Sequence, residues 1–188
     1  MRSSVGFLSS VSVLFGMAAL PAFSQDPRTF TNKLAPYVAS PARVVELMLE
    51  MAKIKPGETV YDLGSGDGRI VVAAAGKYKA KAVGVEISPK LVASATAEIE
   101  KAGLAGQARV MQGDVLKTDF TGADVVTMYL ETELNAKLRP RLEKFLKPGA
   151  RVVSHDYPVP GWKAARVEQV EGRVMHTIYL YEIKAPKP

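Results

Sequence analysis

The rhythm of apolar and polar positions changes repeatedly between Ser40 and Ile183. Ser40-Pro41 reads as an N-cap residue followed by proline at the first helical position. Val44, Val45, Leu47, Met48 and Met51 then recur at helical spacing, up to the Pro-Gly turn at Lys55–Glu58. From there strand and helix patterns alternate. Thr59–Gly64 is a short apolar run, Gly68–Tyr78 is helical, and Lys81–Ile87 is a second strand. Ser88-Pro89 opens a helix that closes near Gly103. Ala108–Asp114 and Ala123–Leu130 are the third and fourth strands, Glu133–Leu146 is a helix, and Arg151–Tyr157 is a fifth strand. The tail alternates apolar and polar residues on both sides of Gly172, as a hairpin does.

Alternating strands and helices predict a parallel sheet covered on both faces, because each crossover helix must bury its apolar stripe against the strands. The expected fold is α/β, one doubly wound domain over residues 41–188 with an antiparallel C-terminal hairpin and an arm over residues 25–40.

Composition adds bounds. A chain of 188 residues, 47% hydrophobic and 23% charged, is the size of one ordinary domain. Its net charge of +6 is scattered, with no run of five like charges, so a solvated surface is expected and no nucleic-acid partner. The absence of cysteine excludes disulfides, thiol catalysis and Cys-zinc sites. With only His155 and His176, a histidine-rich metal site is not expected. The first 24 residues read as a targeting segment: Arg2, an apolar run from Val5 to Leu20, and small residues Ala22 and Ser24 ahead of Gln25. Cleavage there predicts export to the periplasm or beyond. Retention predicts a membrane anchor, since the run approaches the roughly 20 residues that span a bilayer.

The chemistry concentrates in Val60–Ile70, VYDLGSGDGRI, a glycine loop directly after the first strand. In open parallel sheets ligands bind beyond the carboxyl ends of strands. No Walker A string occurs, which removes ATP or GTP hydrolysis. The dinucleotide pattern fails at its third glycine, where Arg69 stands and Gly68 falls one place early. Asp62 just ahead of the loop would repel a pyrophosphate and suits a ligand carrying an ammonium and a sulfonium. Gly64, Gly66 and Gly68 let the backbone turn tightly against such a ligand. Glu86 ends the second strand, 22 residues after Gly64, where a carboxylate takes ribose hydroxyls. Asp114 ends the third, within reach of an adenine amino group. Three acids at three successive strand ends specify a cationic, phosphate-free nucleoside.

These motifs resemble class I S-adenosylmethionine-dependent methyltransferases, whose seven-stranded, Rossmann-like sheet also ends in a hairpin. The stretches SPARVVELMLEMAKIKPGETVYDLGSGDGRIVVAAA and VVSHDYPVPGW resemble a narrower group of small protein-lysine methyltransferases. That group includes the archaeal broad-specificity enzyme and the mitochondrial ATP synthase c-subunit lysine methyltransferase. The resemblance covers Val38–Trp162. It implies S-adenosylmethionine as methyl donor, held by Asp62, Gly64, Ser65, Gly66, Gly68, Glu86, Asp114 and Val115, and a protein lysine as acceptor. The fourth strand ends in TMYLETELN, without the Asn-Pro-Pro-Tyr string that holds planar nitrogens, which argues against DNA or glutamine substrates. A lysine of pKa about 10.4 is neutral about once in 2,500 molecules at pH 7, a cost of about 4.6 kcal/mol. A nearby sulfonium and partial desolvation lower that cost. Tyr129 and Glu131, then Asp156, are the candidates for orienting the amine. Trp162 either walls the lysine channel or packs on the hairpin, and His155 is read as a hydrogen-bonded strand-end residue rather than a base. The alternatives are a small-molecule methyltransferase and a non-catalytic S-adenosylmethionine-binding module in the envelope.

Overall fold

A computed structural model describes residues 37–185. The expected targeting segment, residues 1–24, and most of the arm lie outside the described residues. Among the described residues no helix is long and apolar enough to cross a membrane.

The elements follow in the order α1 (Ala42–Met51), β1 (Thr59–Leu63), α2 (Arg69–Tyr78), β2 (Lys81–Glu86), α3 (Pro89–Lys101), β3 (Ala108–Gln112), β4 (Val125–Met128), α4 (Thr132–Phe145), β5 (Arg151–His155), β6 (Arg166–Glu171) and β7 (Met175–Glu182). The strands form one seven-stranded sheet in the order β3-β2-β1-β4-β5-β7-β6. β1 to β5 run parallel, whereas β7 pairs antiparallel with both β5 and β6. The expected doubly wound sheet with a terminal hairpin is therefore what forms. Strand order reverses between β1 and β4, the switch point where open α/β sheets bind ligands.

Side-chain alternation divides the core. Val60, Val125, Val153, Ile178 and Leu180 join the apolar stripes of α1 and α2 on one face. Leu63, Val126, Met128, Val152 and Tyr181 join Leu134, Leu138 and Leu142 of α4 on the other. Asp62, two residues after Val60, thus points to the face covered by α1 and α2. Thr127, two after Val125, points the same way, and these two residues are register partners across β1 and β4.

Two expectations need correction. Ser40 is not a capping side chain. Helix α1 starts at Ala42, the Pro41 carbonyl accepts the Val45 amide at 3.0 Å, and the Ser40 hydroxyl is bonded to His155 instead. β3 ends at Gln112, so Asp114 belongs to the following turn, where its Oδ1 accepts the Leu116 amide at 2.9 Å. The turn still delivers Asp114 to the same end of the sheet.

Candidate functional site

The carboxyl ends of β1, β2 and β4 open onto a cleft of about 970 Å³, its mouth included. Asp62, Gly64, Ser65, Gly66, Glu86, Asp114 and Val115 all line it, with Tyr129 and Leu130 from beyond β4. Gly68 is not among the lining residues. It caps α2 in the left-handed region (φ 79°), and a Cβ there would come within 2.9 Å of the Ala95 Cβ on α3. Its lack of a side chain serves helix packing.

The acids are held in different ways. Asp62 is 3% exposed, and its Oδ1 accepts the Thr127 hydroxyl at 2.8 Å. Burial, with the negative charges of Glu86 and Asp67 adding to it against the Thr127 hydrogen bond, pushes its carboxyl up to about 7. A buried acid raised this far is poised to ionise when a cation arrives. Glu86 is buried too, and each oxygen takes one backbone amide: Oε2 from Gly66 at 2.9 Å, Oε1 from Ser88 at 2.8 Å. It latches the glycine loop to the end of β2 while each oxygen keeps a further lone-pair site for a hydroxyl.

The glycine loop closes on β2. The Gly64 and Ser65 amides both donate to the Val85 carbonyl, at 2.9 and 3.0 Å. Ser65 is buried against Gly84, where a Cβ would stand 2.5 Å from the Ser65 Oγ. That Oγ has no hydrogen-bond partner among the described residues. A buried orphan hydroxyl at the edge of a cleft is a group ready to meet a ligand. Acids for hydroxyl and ammonium groups, an unpartnered hydroxyl and tight glycine turns fit an adenosyl amino acid.

Comparison with known proteins decides the family. Residues 62–166 match the ANTKMT methyltransferase domain. A protein-lysine N-methyltransferase of Saccharolobus islandicus (strain REY15A) is 49% identical over 150 residues, 79% of this chain and 93% of the relative. The chain belongs to this methyltransferase family. The adenine nucleotide translocase lysine N-methyltransferase of Mus musculus is 30% identical over 187 residues, 100% of this chain and 79% of the relative. Among solved structures, an RNA methyltransferase from Salinibacter ruber in complex with S-adenosyl-L-homocysteine shares 43% identity at a TM-score of 0.76, over 80% of this chain and 97% of that one. The methyl donor is S-adenosylmethionine, and the fold is that of the class I enzymes.

The substrate-side candidates of the methyltransferase separate. Tyr129 lines the cleft, its ring 3.8 Å from that of His155 between centroids, and its hydroxyl donates to Asp156 Oδ2 at 3.4 Å. Burial, then the Asp156 charge, raises its phenol above the ordinary range. Glu131 is exposed at the N-cap of α4, where its carbonyl accepts the Asn135 amide at 3.0 Å, and it does not line the cleft. Asp156 does not line it either. Its φ of 58° turns the carboxylate toward β7, where Oδ1 accepts the Thr177 amide at 2.8 Å and Oδ2 meets His176 Nδ1 at 2.9 Å. Burial pushes that carboxyl up, but these two hydrogen bonds outweigh it and hold it below the usual range. Trp162 is no channel wall: it donates to Glu143 Oε1 at 2.8 Å and packs against Tyr181, away from the cleft. His155 is a hydrogen-bonded strand-end residue, as expected, held down to about 4 by burial.

Sequence reasoning missed the arm. Tyr37, Val38, Ala39 and Ser40 form one wall of the cleft. The Tyr37 ring lies over Gly66, which has φ 54°, and a Cβ at Gly66 would come 2.5 Å from the ring edge. Arg69 ties the arm down. Its Nη2 pairs with Asp67 at 2.6 Å, and its Nη1 donates to the Ser40 carbonyl at 2.7 Å. The one available signal was Arg69 itself, standing where a dinucleotide fold has glycine.

Proposed function

We propose that this methyltransferase methylates lysine side chains of proteins, with Asp62, Gly64, Ser65, Gly66, Glu86, Asp114 and Val115 holding S-adenosylmethionine. When bound, that molecule supplies an electrophilic methyl group on a sulfonium. The chain's own residues do the rest. Asp62 meets the positive end of the ligand, Glu86 the ribose, and Asp114 and Val115 the adenine. Leu130 and Leu134 line the cleft with apolar surface, and such desolvation favours the neutral form of an incoming amine. The Tyr129 hydroxyl accepts a hydrogen bond from that amine and aims its lone pair inward. No dedicated base is required, because an amine released from its proton by desolvation hands the proton to water.

The observation that carries this reading is the end of β4. It presents Tyr129-Leu130 to the cleft in place of an amide-holding Asn-Pro-Pro-Tyr string, and so suits an aliphatic amine. The lysine-directed relatives agree with it. One observation favours an RNA substrate instead: the 43%-identical Salinibacter ruber protein is described as an RNA methyltransferase. The test is radiolabelled methyl transfer into a cell extract, divided between protease and ribonuclease treatment. Label released by protease and recovered as methyl-lysine after acid hydrolysis is the expected result. Label released by ribonuclease would overturn the proposal in favour of RNA, and label only in the small-molecule fraction would overturn it in favour of a metabolite.

A further inference from the structure

Behind Tyr129, on the face of the sheet covered by α1 and α2, three Lewis-basic atoms converge. They are His155 Nε2 at the end of β5, Asp156 Oδ2 in the next residue, and His176 Nδ1 near the start of β7. Their separations are 2.9 Å between the imidazoles, 2.9 Å from His176 to Asp156 and 3.3 Å from His155 to Asp156. A single N–H, on either imidazole, serves at most two of the three edges and leaves two lone-pair atoms facing each other across the third; two N–H groups aimed at Asp156 leave the two nitrogens 2.9 Å apart with no hydrogen bond between them. A cation at the centre satisfies all three at once.

The dimensions fit a metal ion. Ligand atoms at bond lengths of about 2.0–2.1 Å lie about 2.9 Å apart when they subtend 90° at the ion and about 3.3–3.4 Å apart at a tetrahedral angle. The three observed edges fall within that span. A triangle of these edges has a circumradius of about 1.8 Å, so an ion with such bonds sits about 1 Å out of its plane, with its outer side open.

The surroundings are also those of ligands. His155 is fully buried, and its other nitrogen, Nδ1, is fixed by the Ser40 hydroxyl at 2.9 Å. The other carboxylate oxygen of Asp156 is fixed by the Thr177 amide at 2.8 Å. Such outer contacts set the ring orientation or carboxylate rotamer and leave the remaining atom aimed at the metal. Asp156 takes a left-handed backbone (φ 58°) to bring its carboxylate here, a conformation that surrounding contacts must hold in place.

We propose that His155, Asp156 and His176 form a binding site for one divalent transition-metal ion of the zinc type. Two imidazoles and one carboxylate favour borderline metals, whereas calcium and magnesium prefer all-oxygen sets. The ion joins β5 to β7 and, through Ser40, joins both to the arm that walls the cleft. It stands beside Tyr129 rather than in the cleft, so its role is to fix the wall and not to activate the methyl group. The sparse histidine content argued against a metal site, but the fold brings both histidines of the chain into it.

The test uses the full chain without a histidine tag, stripped with a chelator and titrated with Zn²⁺ by calorimetry, with X-ray absorption on the loaded protein. Expected are one equivalent per chain, two imidazole scatterers at about 2.0 Å and a raised melting temperature. His176→Gln should weaken binding at least 100-fold. Ser40→Ala, which removes only an outer contact, should weaken it about 10-fold. Failure of the unmodified chain to bind at micromolar Zn²⁺ would overturn the proposal. So would binding that His176→Gln and Asp156→Asn both leave unchanged, since that places the ion elsewhere. If those variants do not fold, the absorption spectrum of the wild type decides alone: fewer than two imidazole ligands would sink the site.

Discussion

Asp62 offers the sharpest test of how the cleft recognises its ligand. Its carboxyl is buried, accepts the Thr127 hydroxyl and is pushed up to about 7 by burial and by Glu86 and Asp67. If the ammonium of the ligand binds only the ionised form, affinity follows the ionised fraction. With a pKa of about 7 that fraction is about 0.03 at pH 5.5 and about 0.5 at pH 7.0, roughly a 15-fold gain in affinity over 1.5 pH units. The window is chosen so that an amino-acid ammonium, with a pKa of about 7.7–8.0 in a chain terminus, stays protonated throughout. His155, held near 4, stays neutral across it. Calorimetry with S-adenosylhomocysteine in buffers of different ionisation enthalpy reads both the affinity and the proton count. Nearly one proton should leave per ligand bound at pH 6. Asp62→Asn should bind weakly and with no slope. The linkage to stability has the opposite sign. The native carboxyl holds its proton in a range where the unfolded one, near 3.8, has lost it, so Asp62 drains stability as pH rises from about 4 to about 7. The full drain is on the order of 4 kcal/mol, and Asp62→Asn should therefore be more heat-stable than wild type at pH 8 while losing its ligand. A flat affinity profile, or wild-type affinity in Asp62→Asn, would refute the reasoning.

Other substitutions probe the neighbouring supports. Gly84→Ala touches no ligand but puts a methyl 2.5 Å from the Ser65 Oγ; cofactor affinity should fall as the glycine loop is pushed off β2, and unchanged binding would show that the loop yields. Glu86→Ala leaves the Gly66 and Ser88 amides without acceptors, so thermal unfolding should report a loss of about 1–3 kcal/mol even without ligand. Tyr129→Phe should lower kcat with little change in the dissociation constant of S-adenosylhomocysteine, which equilibrium binding and steady-state rates separate. Leu138→Ala, under α4 and remote from the cleft, should cost 2–5 kcal/mol in denaturant unfolding without altering the ligand dissociation constant.

What the sequence reveals here depends on how local each signal is. Period-2 and period-3.6 apolar patterns, Pro-Gly turns and the Ser88-Pro89 start are local, and every predicted strand and helix from Ala42 onward appears within a few residues of its expected place. The placement of Asp62, Glu86 and Asp114 at the cleft was legible for the same reason: Asp62 and Glu86 stand at the ends of β1 and β2 and Asp114 two residues after β3, and a parallel sheet brings strand ends together without further information. Glu131 and Asp156 stand outside the cleft lining because proximity in sequence to a strand end does not fix the direction of a side chain, and of the two readings of Trp162 the structure shows the packing one. One residue of loop geometry, the left-handed φ of Asp156, turns its carboxylate from the cleft toward β7.

The contacts that escaped prediction connect distant segments. Ser40 reaches His155 across 115 residues, and Arg69 reaches the Ser40 carbonyl across 29. Both use the same arm residue, and neither is implied by a pattern. Ser40-Pro41 carries the local signal of a helix cap, yet its hydroxyl goes to the imidazole. The physical reason is competition: the α1 amides have water as an alternative partner, whereas His155 Nδ1 is fully buried and would be left unsatisfied. Removing the Ser40 hydroxyl should therefore disturb the β5–β7 end of the sheet more than it disturbs α1. Hydrogen exchange on Ser40→Ala checks this: faster exchange of the Asp156 and Thr177 amides with little change at Val45 is expected, and the reverse pattern would restore Ser40 to the capping role its sequence suggests.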